Sequence, residues 1–389
     1  MSRTRVVTCA GGAAWEAPLV RGLQRPEFGV EVVRRCVDLG ELLGVALRDH
    51  PRAVVLAAEL PWLDRELVGT LQDAGVAVVA VESGPASRLL DEIGVTHRLS
   101  APPDTDMLAG LLHRLCDEPS LPIAEPGPTG VSGGRMLAVW GGLGAPGRTS
   151  VAVHLALEHR RSGGDPILID GDGWAPAVVQ LLGLPTEPAL TTAVRDAANG
   201  WPSPLEDSLV SGPDDLRVLG GLPRADLWPE VRDRSWRAVL DAARLESDVV
   251  VVDIAAPIEE DEELSFDRVP FRRNLMSRVV LQEADQVLMV VRADPVGLRH
   301  GIFAYRMLRE ALPTAADRVS VVLNQTPSSS RRLQECSSAV EEWTGRPPIG
   351  FLPREEGFTR VLWEGRPLSH LVPRSRWLKE LRMINGIRR

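Results

Sequence analysis

The sequence is poor in cysteine and has no long apolar run. Its 389 residues contain four cysteines, Cys9, Cys36, Cys116 and Cys336, with no C-x-x-C pair among them. This spacing predicts neither a disulfide framework nor a zinc or iron–sulfur site. No apolar run approaches the ~20 residues that cross a bilayer, and the N-terminal apolar run is too short for a signal peptide. We therefore expect a cytoplasmic protein.

Lysine is almost absent, and basic charge is not in excess. Lys379 is the one lysine among 44 lysines and arginines. An arginine at a position where other proteins use lysine is therefore less surprising in this chain. The net charge is −9 at pH 7, which disfavours a uniformly basic surface for nucleic acid. We expect no sequence-specific nucleic-acid partner.

The patterning predicts two α/β domains joined by a linker. Residues 1–116 alternate five short β-branched runs with helical patterns, which predicts a small doubly wound parallel sheet of receiver-like type. Residues 117–134 are rich in Pro, Gly and Ser and indicate a linker. Residues 135–389 hold seven further strand patterns, some of them near-continuous apolar runs typical of central parallel strands. The fold class we expect is α/β, with a second and larger doubly wound parallel sheet of P-loop NTPase type.

The stretch WGGLGAPGRTS, residues 140–150, follows a predicted strand and precedes a helical pattern. That context is typical of a phosphate-binding loop, in which glycines turn backbone N–H groups inward at a helix N-terminus. Arg148 stands where a phosphate-binding lysine is expected, and Thr149 where a Mg²⁺-binding hydroxyl is expected. A lone glycine loop is equally consistent with a plain tight turn. The candidate phosphate-binding residues are Gly142, Gly144, Ala145, Pro146, Gly147, Arg148, Thr149 and Ser150.

Three aspartates follow later strand patterns. Asp170 and Asp172 end the stretch PILIDGD, and Asp253 ends SDVVVVD. The carboxyl ends of parallel strands line the ligand crevice of such sheets, so these carboxylates should meet the glycine loop. There they could organise Mg²⁺, directly or through water, and position an attacking water. A single aspartate at a strand end is often only a cap or turn residue, but three in this order favour a site.

In these motifs, residues from about 136 to 371 resemble the MinD/ParA branch of P-loop ATPases. GAPGRTS resembles the deviant Walker A motif of that branch, LIDGDGW its switch I strand and VVVVDIAAP its Walker B strand. The segments EADQVLMVVRADPVGLR, VSVVLNQ and IGFLPREEGFTRVLWEGRPL resemble three further family segments. With the receiver-like first domain, the layout is similar to that of TadZ/CpaE-like proteins of Flp pilus assembly and of septum-site-determining proteins.

The resemblance implies ATP and Mg²⁺ as cofactors and assigns roles to individual residues. Thr149, Asp170 and Asp253 would serve the metal, Asp172 and Arg148 would be catalytic, and Asn324 would contact adenine. Two departures stand out: Leu143 occupies the position of the signature lysine, and Arg148 that of the phosphate lysine. Removing one donor from a charge-stabilising site costs roughly 10²–10³ in rate, so we expect slow hydrolysis or none. Arg299 is a candidate for the missing charge.

The first domain departs from its model as well. A receiver carries an acidic pair after its first strand, whereas the first strand here ends in TCAGG. We therefore interpret residues 1–116 as a pseudo-receiver that docks on partners or dimerises and is not phosphorylated.

These observations predict an ATP-binding homodimer with weak or slow ATPase activity. It would position a cell-envelope machine, a Flp pilus or secretion assembly or a division septum, and contact proteins of that machine. The alternative is a non-hydrolysing pseudo-ATPase scaffold that acts through partner contacts only. Residues 374–389 place Trp377, Leu378, Leu381 and Ile384 on one helical face, with basic residues elsewhere. Such a helix either packs on its own domain or lies peripherally on the inner face of the cell membrane.

Overall fold

The computed structural model describes most of the chain in eight stretches. They are residues 3–60, 63–84, 90–91, 93–117, 133–144, 146–200, 205–259 and 273–384. Ala145, most of the predicted linker and residues 385–389 lie outside them. The chain divides into two compact units, one of Met1–Thr129, Ala198–Pro202 and Asp261–Arg272, the other of Gly130–Ala197, Ser203–Glu260 and Arg273–Arg389.

The first unit is built on a five-stranded parallel sheet with strand order β2-β1-β3-β4-β5. That order is the flavodoxin-like one. Alternate strand residues such as Val54 and Val55 enter two different hydrophobic clusters, because successive side chains of a strand point to opposite faces. The elements are β1 Thr4–Cys9, α1 Glu16–Leu23, β2 Val30–Cys36, α2 Leu39–Asp49, β3 Ala53–Ala57, α3 Arg65–Asp73, β4 Ala77–Glu82, β5 His97–Ser100 and α4 Thr105–Asp117.

The second unit carries an eight-stranded sheet with strand order β13-β12-β11-β6-β10-β7-β9-β8. Neighbouring strands pair in parallel except β8 with β9. The elements are β6 Arg135–Trp140, α5 Arg148–Arg161, β7 Pro166–Gly171, α6 Val178–Leu182, α7 Leu190–Ala198, β8 Val210–Ser211, β9 Arg217–Leu219, α8 Asp233–Glu246, β10 Val249–Ile254, α9 Leu275–Glu283, β11 Gln286–Arg292, α10 Pro295–Ala311, α11 Pro313–Ala316, β12 Val319–Thr326, α12 Ser330–Thr344, β13 Gly350–Pro353, α13 Phe358–Glu364, α14 Leu368–Leu371 and α15 Arg376–Arg382.

The strand order brings the predicted motifs to one edge of this sheet. β10 pairs with β6 on one side and β7 on the other, in a register that aligns Asp253 with Val139 and Asp170. Because these strands are parallel, their carboxyl ends meet at the same edge. The loop after β6 therefore lies beside the aspartates that end β7 and β10. The seven strands expected from the sequence form as parallel strands, and the described residues of this unit add the two-residue β8.

The C-terminal helix α15 packs on its own unit. Trp377, Leu378, Leu381 and Ile384 are buried in one hydrophobic cluster together with residues of α5 such as Leu155. The apolar face that a membrane helix would offer to lipid is thus covered by protein. For the described part of residues 374–389 the structure thus shows the packed alternative, and contact with lipid would require the helix to leave its site. No helix among the described residues is long and apolar enough to cross a membrane.

Candidate functional site

The glycine loop joins β6 to α5 and depends on two left-handed glycines. Gly144 has φ 95° and Gly147, directly before α5, has φ 96°. Residues that carry a Cβ rarely adopt such angles. A Cβ on Gly147 would also overlap Nδ2 of Asn324, and one on Gly141 would overlap the carbonyl oxygen of Val290. The loop is therefore held tightly against β11 and β12, at the N-terminus of a 14-residue helix whose partial positive charge attracts anions.

Arg148 folds back over this loop. Its Nη1 donates to the carbonyl oxygens of Gly142 (3.1 Å) and Gly141 (3.3 Å). Its Nη2 lies 3.7 Å from Oδ2 of Asp172. Its Nε is buried and has no hydrogen-bond partner among the described residues. The guanidinium thus spans the gap between the loop and Asp172, with donor capacity left for an anion that enters there.

Asp170 and Asp253 are buried neighbours with different surroundings. Asp170 accepts hydrogen bonds from the backbone N–H groups of Ala177 (2.9 Å), Val178 (2.9 Å) and Asp172 (3.3 Å). It therefore holds the turn that precedes α6. Asp253 is 1% exposed, and the Thr149 hydroxyl is the one described group that comes close to hydrogen-bonding its carboxylate oxygens. A buried, unpartnered carboxylate is costly unless a proton or a cation compensates it.

Burial also shifts the acidity of this pair. Burial raises the pKa of the Asp253 carboxyl well above the ordinary value, and the negative charge of Asp170 raises it further. A hydrogen bond from Thr149 and the positive charge of Arg148 oppose this shift. The pKa of Asp170 is likewise raised, mainly by burial, and its backbone hydrogen bonds oppose the shift. Both shifts mean that two negative charges side by side in this place are unfavourable.

Asp172 organises the loop that follows β7. Its Oδ1 accepts from the backbone N–H groups of Trp174 (2.9 Å) and Ala175 (2.8 Å), which leaves Oδ2 directed to Arg148. The Trp174 ring in turn lies 4.2 Å from the guanidinium carbon of Arg273, which also stacks at 5.4 Å on Trp228. Sequence reasoning missed this stack because its three members are far apart along the chain.

Asn324 lies at the end of β12, beside the glycine loop. Its Nδ2 donates to the carbonyl oxygen of Pro146 (2.7 Å), and its Oδ1 accepts from Nε1 of Trp377 (3.0 Å). The next residue, Gln325, has a left-handed φ of 55°, and the strand is irregular there. The amide predicted to read adenine therefore has two protein partners and keeps one N–H and one lone pair for a ligand.

His154 is a buried side chain that links α5 to Leu368, and the sequence gave no indication of this contact. Its Nε2 accepts from the backbone N–H of Leu368 (2.9 Å), and its Nδ1 lies 2.7 Å from the carbonyl oxygen of Ser150. The ring therefore donates through Nδ1. It packs edge-on against Phe358 and Trp377, at centroid distances of 5.5 and 5.4 Å. Burial lowers the pKa of His154 to about 4, so the ring is neutral near pH 7.

A cleft of about 450 Å³ connects these groups. Its lining includes residues 146–150 and Asp172, Asn324 and Gln325, and residues of the C-terminal segment, which we define as residues 358–384, with residues 353–355 just before it. This volume is in the range of small-molecule sites. Polar groups of the glycine loop share this lining with aromatic and apolar side chains such as Phe358 and Leu362, a combination suited to a nucleotide.

The position of the missing signature lysine is open to solvent. Leu143 is 67% exposed, and its carbonyl oxygen lies 3.0 Å from Nδ1 of His300. Arg292 reaches the same part of the loop, where Nη1 donates to the carbonyl oxygen of Gly144 (3.3 Å). Arg299, the candidate from the sequence, lies instead over the ring of Phe303, at 5.4 Å. Arg292, and not Arg299, thus contacts the glycine loop at Gly144.

The described residues alone offer no complete set of metal ligands. Within the described residues, no group of three or more His, Cys, Asp or Glu side chains is arranged to hold a metal ion. Mg²⁺ in nucleotide sites is usually held by one or two side chains together with phosphates and water. The Thr149 hydroxyl and the unpartnered oxygens of Asp253 are hard oxygen ligands of that kind, so the donor set fits Mg²⁺ shared with phosphates.

Comparison with known proteins agrees with this fold. No family model matches the chain. Among solved structures, the ParA family ATPase of Chlorobium tepidum superposes with a TM-score of 0.53 at 17% identity, over 64% of this chain and 96% of that one. The septum site-determining protein MinD of Pyrococcus horikoshii, complexed with Mg-ADP, superposes with a TM-score of 0.51 at 16% identity, over 64% of this chain and 93% of that one.

The larger unit therefore has the α/β fold of MinD/ParA-like NTPases, as the sequence predicted. The amino-acid sequence is also similar to that of one known bacterial protein. The antiactivator FleN of Pseudomonas aeruginosa is 25% identical over 248 residues, which cover 62% of this chain and 81% of FleN.

Proposed function

We propose that the larger unit binds Mg·ATP in the cleft beside the glycine loop and hydrolyses it slowly. The observation that carries this proposal is Asp253, a buried carboxylate at the strand end next to that loop, for whose oxygens the described residues offer no hydrogen-bond donor beyond the Thr149 hydroxyl. A bound cation compensates such a charge, and phosphates supply the remaining ligands. The nucleotide-binding fold of the unit and the similarity to FleN support the same conclusion.

Each group of residues that lines the cleft has its own task in this proposal. Backbone N–H groups of Gly144 and of residues 147–150 hold the phosphates at the start of α5. Thr149 and Asp253 hold Mg²⁺, which neutralises phosphate charge, while Asp170 fixes the turn and supports Asp253. Asn324 contacts the adenine through its remaining hydrogen and lone pair.

Two residues account for slow turnover. Arg148 must exchange its loop carbonyls for phosphate oxygens, and its planar guanidinium fits that position less closely than a lysine ammonium. Leu143 brings no charge to a partner subunit. Asp172 keeps one oxygen free of backbone hydrogen bonds, and we assign to it the orientation of the attacking water.

The cellular role we propose is that of a nucleotide-dependent homodimer that positions a cell-envelope machine through protein partners. A Flp pilus or secretion assembly and a division septum are the candidates, and the first unit would dock on partners as a pseudo-receiver. The name antiactivator given to FleN adds a regulatory partner to this range. The alternative is a pseudo-ATPase scaffold, which the uncharged Leu143 and the engaged Arg148 favour.

Calorimetric titration of the full chain with Mg·ATP, with phosphate release measured on the same samples, tests the proposal. We expect Arg148→Ala to weaken Mg·ATP binding at least tenfold, because a charged donor to phosphate is lost. Arg148→Lys should retain binding and raise turnover. Arg331→Ala removes an exposed arginine on α12 that pairs with Glu335, and it serves as the matched control.

The outcomes separate the two functions. Binding with measurable turnover that depends on Arg148 supports a switch. Binding of Mg·ATP by the wild type without turnover supports a structural or sensing nucleotide. A wild type that binds no nucleotide would contradict the proposal and leave the scaffold function.

A further inference from the structure

The C-terminal segment contacts the glycine loop through two hydrogen-bonded routes. One route runs from Trp377 on α15 through Asn324 to Pro146, over distances of 3.0 and 2.7 Å. The other runs from Leu368 on α14 through His154 to Ser150, over 2.9 and 2.7 Å. Three of these four hydrogen bonds are buried and the one between His154 and Ser150 is partly buried, while the side chains of Trp377, Asn324 and His154 are themselves buried. The loop is thus braced by residues more than 200 positions later in the chain.

We propose that Trp377 is a positioning residue of the phosphate loop and acts through Asn324. The inference rests on the proposed function only in that the loop is taken to hold phosphates. An indole N–H can donate but not accept, so Nε1 of Trp377 must face the oxygen of the Asn324 amide. That orientation leaves Nδ2 for the carbonyl oxygen of Pro146. The Trp377 indole therefore fixes the orientation of the Asn324 amide, with Oδ1 toward Trp377 and Nδ2 toward Pro146.

The orientation of this amide reaches the phosphate-binding backbone directly. The carbonyl of Pro146 and the N–H of Gly147 belong to one rigid peptide plane. Fixing the carbonyl oxygen therefore fixes the direction of the Gly147 N–H at the start of α5. If the Asn324 amide turned by 180°, its oxygen would face the Pro146 oxygen, and two acceptors repel each other. The peptide plane would then lose its fixed direction.

Docking of helix α15 and binding of phosphate are thermodynamically linked. If the docked helix α15 keeps the loop in its binding geometry, then phosphate binding must stabilise the docked helix by the same free energy. The aromatic contacts of His154 with Phe358 and Trp377 extend the coupling to α13. The C-terminal segment is on this account part of the nucleotide site.

Amide hydrogen exchange of the ligand-free full chain tests the positioning role without any nucleotide. We expect Trp377→Phe to speed exchange of peptides covering residues 141–150 about tenfold, since local protection falls when a brace is lost. The matched control is Trp236→Phe, because the Trp236 indole is also fully buried and donates to a backbone oxygen, that of Met276 at 3.2 Å. It should leave this loop unchanged while costing similar thermal stability.

A second variant protects the test against misfolding. Asn324→Asp keeps the shape of the side chain but removes the donor to Pro146, and it should give the same faster exchange. Adding Trp377→Phe to Asn324→Asp should then have little further effect on the loop, because both act on one route. Equal loop exchange in Trp377→Phe and Trp236→Phe, or additive effects in the double variant, would overturn the positioning role.

Titration with Mg·ATP and with inorganic tripolyphosphate separates this inference from the proposed function. Trp377→Phe should weaken both ligands about tenfold, and Trp236→Phe less than twofold, as expected for a change in the phosphate loop. Faster loop exchange in Trp377→Phe together with a wild type that binds neither ligand would refute the proposed function and leave the positioning role standing. Unchanged affinity in Trp377→Phe would overturn its role in phosphate binding.

Discussion

At the scale of single residues, Asp253 and Asp170 dominate the site. They are register partners on neighbouring strands, and backbone N–H groups stabilise only Asp170 among the described contacts. A carboxyl group with a raised pKa binds more protons in the folded than in the unfolded state between the two pKa values. Its contribution to stability therefore falls as the pH rises through that window. The contribution of these two carboxyl groups to the stability of the ligand-free protein should therefore fall from about pH 4 upward.

We predict that Asp253→Asn makes the metal-free protein more stable. An amide carries no charge to bury, and we expect a gain in the free energy of unfolding of about 1–3 kcal/mol at pH 7.5. The fall in stability with rising pH should also become shallower. Urea unfolding between pH 5 and pH 8 measures both effects. The exposed Asp317→Asn is the control, and a wild-type stability that does not fall with pH over this range would contradict the argument.

The residues of this site were partly predictable from sequence. Arg148, Asp172 and Asp253 follow strands or a glycine loop, and parallel topology brings such positions together, as the structure shows. The division of labour between Asp170 and Asp253 was not predictable, because it depends on which carboxylate meets the N–H groups of residues 177 and 178. His154 gave no signal either, since one histidine within the apolar run of α5 has no periodic partner.

At the scale of elements, the glycine loop combines two separate demands. Gly147 needs a left-handed backbone, and it also leaves room for the amide of Asn324. Gly163, after α5, has a similar φ of 90°, but a Cβ added there would meet no heavy atom within 4 Å. A comparison of Gly147 with Gly163 therefore separates the cost of backbone strain from the cost of crowding.

We predict that Gly147→Ala costs more stability than Gly163→Ala. Strain alone should cost about 1–2 kcal/mol at either position, and displacement of the Asn324 amide should bring Gly147→Ala to about 3–4 kcal/mol. Chemical denaturation monitored by far-UV circular dichroism gives both values. If the two losses were equal, Asn324 would have moved aside freely, and the brace described above would be weak.

Helix α15 shows where sequence patterning reaches its limit. The apolar face of Trp377, Leu378 and Leu381 was visible in the sequence, but an amphipathic pattern does not state what covers it. The structure buries that face in the core of its own unit. The two-residue strand β8 was missed for a different reason, because two residues are too few to show an alternation.

At the scale of the whole molecule, the first unit has a complete sheet with a hydrophobic cluster on each face. We predict that the fragment of residues 1–117 folds alone, with a cooperative thermal transition in calorimetry. A fragment ending at residue 104 is the control. It lacks α4 and with it the fully buried Leu108 and Leu112, so it should not unfold cooperatively. A fragment 1–117 without a transition would show that its core needs the rest of the chain.

The scarcity of lysine has a practical consequence at this scale. Lys379 is the one lysine in the sequence, and it lies exposed on α15 beside the buried Trp377. An endoproteinase specific for lysine thus has one peptide bond to cut, between Lys379 and Glu380. That bond is protected while the helix is folded, because cleavage requires local unfolding. The rate of a single cut therefore measures how often the C-terminal helix opens, with no label attached to the protein.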